Sequence, residues 1–195
     1  MDLRSFLFKK RSYTPIPIVL TILYFSNFIY PFWAYGSTLI ILGELIRLNA
    51  VCYAGGRTRT TKVGATSLCT SGPYSRTRNP LYIGNLFIYS GVVLLSGGIY
   101  MFQLLAIVIF YFIFQYSMII SLEEEKLSKV FGQEYAKYKN NVPRIIPLIK
   151  PWNSKSKSKP SPILKTLKTE KRTLQNLILL IFIIISKPYI INFRF

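Results

Sequence analysis

Long stretches without charged side chains dominate this sequence. Residues 16–35 contain no charge, and three further runs, 37–53, 80–96 and 99–121, are almost as apolar. The hydrocarbon core of a bilayer needs roughly 20 apolar residues of helix, and backbone groups in lipid must be hydrogen-bonded within the chain. The sequence therefore predicts an all-α integral membrane protein with four transmembrane helices.

Short interruptions separate these runs in pairs. Pro31 and Gly36 mark a break between the first two runs, and Gly97 and Gly98 separate the last two. Such residues are typical of turns, so we expect two helical hairpins. The polar residues 54–79 and 122–150 would then form a cap at one membrane face.

The distribution of basic residues predicts the orientation. The formal net charge is +18, and Lys and Arg concentrate before residue 16, in the middle loop and after residue 121. The turns within the two hairpins carry no charge. By the positive-inside rule the protein is a multi-pass membrane protein whose N-terminus and cap face the cytoplasm. Because the basic residues lie between apolar runs, we expect a membrane surface as partner and no nucleic acid.

Residue types that are absent also constrain the chemistry. The chain has no histidine, and its two cysteines, Cys52 and Cys69, are not in a CxxC arrangement. Histidine-based acid–base catalysis is thereby excluded, and we expect no metal site.

The C-terminal residues 153–195 differ from the rest. They open with NSKSKSKPSP, and their apolar run, 174–186, has 13 residues, roughly 20 Å of helix. We expect a basic, low-complexity tail on the membrane surface, with a fifth transmembrane helix as the less favoured alternative. The domain would then be residues 1–152, and truncation after Trp152 should leave function nearly intact.

Two polar segments flank the second predicted hairpin on the same membrane face. Residues 70–85 read TSGPYSRTRNPLYIGN, and residues 121–147 read SLEEEKLSKVFGQEYAKYKNNVPRIIP. Cationic groups at the start of one helix and carboxylates at the end of its neighbour would form a pocket for a zwitterion, such as an amino acid.

A simpler interpretation of the same charges is open. Arg76 and Arg78 would merely obey the positive-inside rule, while the glutamates at 123–125 pair with Lys126 and Lys129 at helical spacing. In the same way, Glu44 and Arg47 would form an intrahelical pair, although ionisable groups in membrane helices are often functional.

The two polar segments resemble the isoprenylcysteine carboxyl methyltransferase and phospholipid methyltransferase superfamily. Its members carry a GPYxxxRHPxYxG-like element followed by EExxLxxxFGxxYxxYxxxVPR. The second pattern is complete in this chain: Glu123, Glu124, Leu127, Phe131, Gly132, Tyr135, Tyr138, Val142, Pro143 and Arg144. The resemblance covers about residues 40–148 and excludes the tail.

This resemblance implies a membrane methyltransferase that uses S-adenosyl-L-methionine and acts on a lipophilic substrate entering from the bilayer. The cofactor would lie in a cytoplasm-facing pocket. By position in the family pattern, the residues binding it would be Thr66, Ser67, Leu68, Cys69, Tyr74, Asn79, Pro80, Leu81, Tyr82 and Glu123. The catalytic residues would be Glu124, as a proton acceptor from an amine, and Arg78 and Arg144, as cations for a substrate carboxylate.

The chain departs from the family pattern at two positions. Asn79 replaces the histidine before the proline, so this position cannot transfer a proton near neutral pH. Ile119 stands where the isoprenylcysteine enzymes have an arginine suited to a carboxylate. Isoprenylcysteine-type carboxyl O-methylation is our first hypothesis. The alternatives are N-methylation of a phospholipid or other amine, and an inactive relative that serves as a scaffold or lipid-binding protein.

Overall fold

The fold is all-α. A computed structural model describes residues 2–27, 32–55, 67–153 and 158–192. These residues form six helices: α1 (Leu3–Lys10), α2 (Ile16–Phe25), α3 (Phe32–Ala54), α4 (Pro80–Ser96), α5 (Met101–Asn141) and α6 (Ile163–Asn192). Helices α3, α5 and α6 are long and apolar enough to cross a membrane, and α2 and α4 are shorter apolar helices. The predicted class, an all-α integral membrane protein, is confirmed.

The boundary between the first two apolar helices differs from the prediction. The run 16–35 does not form one helix, because α2 ends at Phe25 and Ser26 is extended. Helix α3 begins at Phe32 rather than near residue 37 and includes Gly36.

Glycines allow α3 and α4 to pack closely. Gly36 and Gly43 on α3 face Gly91 and Gly84 on α4, seven residues apart on each helix. A Cβ atom added to Gly43 would lie 2.7 Å from the carbonyl oxygen of Gly84, and one added to Gly91 would lie 2.7 Å from that of Gly36. Small residues are how membrane helices bring their backbones together. Gly36 is therefore a packing residue and not a turn.

Substituting Gly43 tests this packing. Gly43→Leu should lower the free energy of unfolding by at least about 1–3 kcal/mol, because the added side chain has to displace backbone atoms of α4. Thermal unfolding of the purified protein in detergent measures the change. Ala34→Leu adds a comparable bulk at an exposed position of the same helix and should change little. Equal effects of the two variants would contradict the proposed close contact.

Helix α4 spans residues 80–96, as predicted, whereas α5 is longer than predicted. It continues twenty residues past 121, to Asn141, with a non-helical backbone at Gly132 (φ 49°, ψ −119°). Its apolar part ends at Leu122, where Glu123 begins a charged stretch. The second polar segment is thus a continuation of the membrane helix, and we treat the part from Glu123 onward as lying outside the membrane.

The C-terminal segment differs most from its prediction. Instead of a short apolar run at 174–186, the structure has a 30-residue helix, α6, that continues through Pro188. The span Ile163–Ile190 is long and apolar enough to cross a membrane. Ile184 is fully buried against the main core, and Leu177, Leu180 and Ile181 pack on the same cluster. The predicted low-complexity tail is therefore wrong for this part, and the less favoured alternative describes it better.

Candidate functional site

A cavity of about 1020 Å³ opens where α4 begins and the apolar part of α5 ends. This volume is at the upper end of small-molecule pockets, which measure roughly 300–1,000 Å³. Of the predicted site residues, those that line it are Ser67, Leu68, Cys69, Tyr74, Arg78, Asn79, Pro80, Leu81, Tyr82, Glu123 and Glu124. Thr66 lies outside the described residues. The two polar segments, about forty residues apart in sequence, therefore meet at one cavity.

Glu124 joins the two polar segments. Its Oε1 accepts a hydrogen bond from Arg78 Nη2 at 2.9 Å, and its Oε2 accepts one from Arg144 Nη2 at 2.6 Å. The side chains of Glu124 and Arg78 are each 8% exposed. Arg78 also donates to the carbonyl oxygens of Val142 and Lys139, at 2.6 and 2.9 Å. Four of the five N–H groups of the Arg78 guanidinium are thus hydrogen-bonded to Glu124 and to carbonyl groups at the end of α5.

Backbone hydrogen bonds extend the same junction. The amide of Arg78 donates to the carbonyl of Pro143 at 2.9 Å, and the amide of Leu148 donates to the carbonyl of Arg76 at 2.9 Å. Asn79 Nδ2 donates to the carbonyl of Arg144 at 3.0 Å. The residue that replaces the family histidine therefore holds the chain after α5 in place. The Asn79 amide donates this hydrogen bond without a titratable proton.

Two tyrosines on the extension of α5 contact the loop before α4. The Tyr138 hydroxyl donates to the carbonyl of Tyr74 at 2.7 Å, within the 3₁₀ turn Gly72–Ser75. Tyr135 is 1% exposed and packs with Tyr138, Leu68 and Val142. Because these rings are buried and their neighbours are mainly apolar, they pack the extension of α5 against the loop before α4.

Glu123 lies on the membrane side of the cavity and has different surroundings from Glu124. The Tyr82 hydroxyl is 3.1 Å from both of its carboxylate oxygens. Burial raises the pKa of Glu123 to about 7, although the hydrogen bond from Tyr82 opposes the shift. A carboxylate with a pKa near 7 can bind a cation when it is ionised, and it can take up or release a proton at neutral pH.

The pKa of Glu124 moves in the opposite direction. Burial alone would raise it, but the hydrogen bonds from Arg144 and Arg78 outweigh burial and hold the pKa below its usual value. A carboxylate that is doubly paired with arginine is a poor proton acceptor. The geometry therefore does not favour the predicted role of Glu124 as a base and gives Glu123 the better position for it.

The third glutamate follows the simpler interpretation. Glu125 pairs with Lys129 at 2.7 Å, one helical turn away, and with Arg4 at 3.2 Å. Its side chain is 43% exposed. The pairing predicted for all three glutamates thus describes Glu125, whereas the two preceding carboxylates face the cavity.

Ile119, which replaces an arginine of the isoprenylcysteine enzymes, is fully buried. It packs with Leu7 and Phe8 of α1 and with Leu122. This position therefore makes an apolar contact with the N-terminal helix and holds no cation for a substrate.

A second polar cluster, which was not predicted from the sequence, also lines the cavity. Arg47 forms the predicted pair with Glu44, at 3.8 Å, but its guanidinium also donates to Asn85 and to Glu170 of α6. One feature of the sequence could have indicated this cluster. Glu170 is the single acidic residue after Glu134, in an otherwise strongly basic stretch.

The fold and cavity define a class: a multi-pass helical membrane protein with a polar site at the end of the bundle. The phospholipid methyltransferase family matches residues 31–134, which is more than half of the chain, and the chain belongs to this family. No solved structure matches it.

Among curated proteins, the chain is similar to isoprenylcysteine O-methyltransferases. It is 31% identical to protein-S-isoprenylcysteine O-methyltransferase B of Arabidopsis thaliana over 119 residues, covering 59% of each chain. It is 35% identical to the Saccharomyces cerevisiae protein over 120 residues, 58% of this chain and 48% of the yeast chain. A cobalt-zinc-cadmium resistance protein of Cupriavidus metallidurans is 30% identical over 121 residues, 62% of this chain and 51% of that one. The chain thus spans about half the length of the curated relatives it matches.

Substituting Glu124 tests the junction between the two polar segments. Glu124→Gln should lower the free energy of unfolding by about 3 kcal/mol, because it leaves two arginines of one cluster without their shared carboxylate. Trp152, which packs on Tyr138, provides a fluorescence signal for unfolding of the cap. The matched control Glu125→Gln should barely change the unfolding midpoint, since its ion pairs are exposed. Equal shifts of the unfolding midpoint in the two variants would mean that the ion pairs of Glu124 do not stabilise the protein.

Proposed function

We propose that the chain is a membrane methyltransferase that uses S-adenosyl-L-methionine to methylate a lipophilic acceptor, most simply at an isoprenylcysteine-type carboxylate. The observation that carries this proposal is the hydrogen-bonded pair of Glu123 and Tyr82, both half-buried, beside the start of α4 in a cavity that continues into the apolar bundle. Family membership and the names of the relatives support the same reaction class.

The residues present fit the proposed cofactor. Its ammonium group or ribose hydroxyls require an acceptor, and Glu123 is a half-buried carboxylate that lines the cavity. Ser67, Leu68 and Cys69 offer backbone groups for the amino-acid part, while Tyr74, Pro80 and Tyr82 form walls for the rest. When bound, S-adenosyl-L-methionine supplies an electrophilic methyl group on a sulfonium.

The protein's own contribution would be binding, orientation and exclusion of water. A carboxylate acceptor is ionised at neutral pH and needs no general base, so positioning in line with the methyl group supplies much of the rate. Arg78 and Arg144 share the single carboxylate of Glu124, so this cluster carries one net positive charge. That charge would attract an anionic acceptor toward the cavity.

One observation favours a second candidate, N-methylation of a phospholipid or other amine. An amine must lose a proton before methyl transfer, and the pKa of Glu123, raised to about 7, suits a proton acceptor. Supplying radiolabelled methyl donor to vesicles that contain either an aminophospholipid or an S-alkylated cysteine separates the two candidates. The lipid that becomes labelled identifies the acceptor group.

The orientation is part of the proposal. Lys and Arg are concentrated before α2 and after the apolar part of α5, so the site and the N-terminus would face the cytoplasm. A membrane-impermeant thiol reagent should modify a cysteine introduced at Ser71 when it is added on the cytoplasmic side, and should not modify it from the other side.

Calorimetric titration with S-adenosylhomocysteine tests cofactor binding. The affinity of the wild type should rise between roughly pH 6 and roughly pH 7.5, because Glu123, with a pKa of about 7, accepts hydrogen bonds better when ionised. Glu123→Gln should weaken binding by about 1.5–3 kcal/mol and remove this pH dependence. Absence of wild-type binding would identify an inactive relative, and an unchanged variant would exclude Glu123 from the cofactor site.

A further inference from the structure

Helix α6 lies entirely outside the family match, which ends at residue 134, yet it lines the cavity. We propose that α6 and α2 together form a slot for the apolar chain of the methyl acceptor, and that α6 therefore sets which acceptor the protein takes. This proposal rests on the proposed function and adds to it the site and class of the acceptor's lipophilic part.

At one end, α6 is fixed to the bundle by a buried ion pair. Glu170 is 1% exposed and pairs with Arg47 of α3, whose side chain is 12% exposed. Arg47 also donates to Asn85 of α4. Three helices are therefore joined at one point, and breaking a buried pair by removing one partner is costly. Glu170 and Arg47 both line the cavity, so the joint forms part of its wall.

At the other end, a lysine joins α6 to α2. Lys187 Nζ donates to the carbonyl oxygens of Leu23, Tyr24 and Ser26, at 2.8, 2.6 and 2.9 Å. These carbonyls belong to the last turn of α2 and its cap, where a helix has unsatisfied acceptors and favours a cation. Both ends of α6 are thus held, and the stretch between them is fixed relative to α2.

Between the two joints, the part of α6 next to Glu170 lines the cavity with the polar residues Arg172, Thr173 and Asn176, and from Leu177 onward the wall is apolar. Val19, Leu20 and Leu23 contribute from α2, and Leu177, Leu180 and Ile183 contribute from α6. This apolar wall is continuous with the polar end, where Glu123 and Tyr82 lie. A molecule whose chain occupies the slot would present its polar end at the proposed site of methyl transfer. An extended apolar chain with a single polar end has this distribution of surface.

Adjacent residues of α6 provide a matched pair of variants. Leu177 lines the cavity, whereas Ile178 is 66% exposed and does not line it. Leu177→Trp fills the slot, and Ile178→Trp adds the same bulk on the outer face. The full-length protein is assayed with S-alkylated cysteines whose chains have roughly ten or roughly twenty carbon atoms, since each buried methylene contributes to binding.

Leu177→Trp should shift the ratio of kcat/KM values for the long and the short acceptor by about tenfold toward the short one, with S-adenosylhomocysteine affinity unchanged. Ile178→Trp should leave both the ratio of kcat/KM values and the S-adenosylhomocysteine affinity unchanged. A long-chain probe with a terminal diazirine should crosslink to α2 and α6, and Leu177→Trp should suppress that crosslink. This second readout needs no turnover.

Failure of the proposed function and failure of the slot assignment give different results. If the wild type bound no S-adenosylhomocysteine and transferred no methyl group, the proposed function would fail. If the wild type bound it while Leu177→Trp changed neither the chain-length ratio nor the crosslink, the slot assignment would be overturned. Crosslinking to helices other than α2 and α6 would overturn it as well.

Discussion

The shared carboxylate of Glu124 is the interaction on which the site depends. It accepts hydrogen bonds from Arg78 of the loop before α4 and from Arg144 of the chain after α5. Backbone hydrogen bonds of Arg76 and Arg78 and a side-chain hydrogen bond of Asn79 join the same two segments. A charge cluster of this kind is costly to leave half-satisfied. It therefore fixes two distant segments in one arrangement and leaves the neighbouring Glu123 facing the cavity.

The membrane helices supply the frame for this junction. The glycine contacts hold α4 close against α3. Because α5 continues as a helix past its apolar part, Glu123 and Glu124 directly follow that part. Since Glu123 follows directly after the last apolar residue of that run, a half-buried carboxylate lies at the end of the apolar part of α5. A polar cofactor and a lipophilic acceptor could meet at such a boundary.

The sequence predicted the elements whose signal is local. The uncharged run 80–96 defined α4, and the order of the apolar runs placed the two polar segments at one membrane face, where the structure brings them to one cavity. The break after Phe25 was placed wrongly because Gly36, which suggests a turn, serves a helix contact that involves α4. The role of Glu170 depends on Arg47, more than a hundred residues earlier, and periodicity within the C-terminal segment carries no information about such a partner.

A double-mutant cycle between Arg78 and Glu124 tests most directly whether the two segments form one site. The free energies of unfolding of Arg78→Gln, Glu124→Gln and the double variant are compared with that of the wild type in the same detergent. The account predicts that the double variant loses less than the sum of the single variants, with a coupling energy of about 1–3 kcal/mol. Additive losses would mean that the segments do not interact, and the shared site would be contradicted.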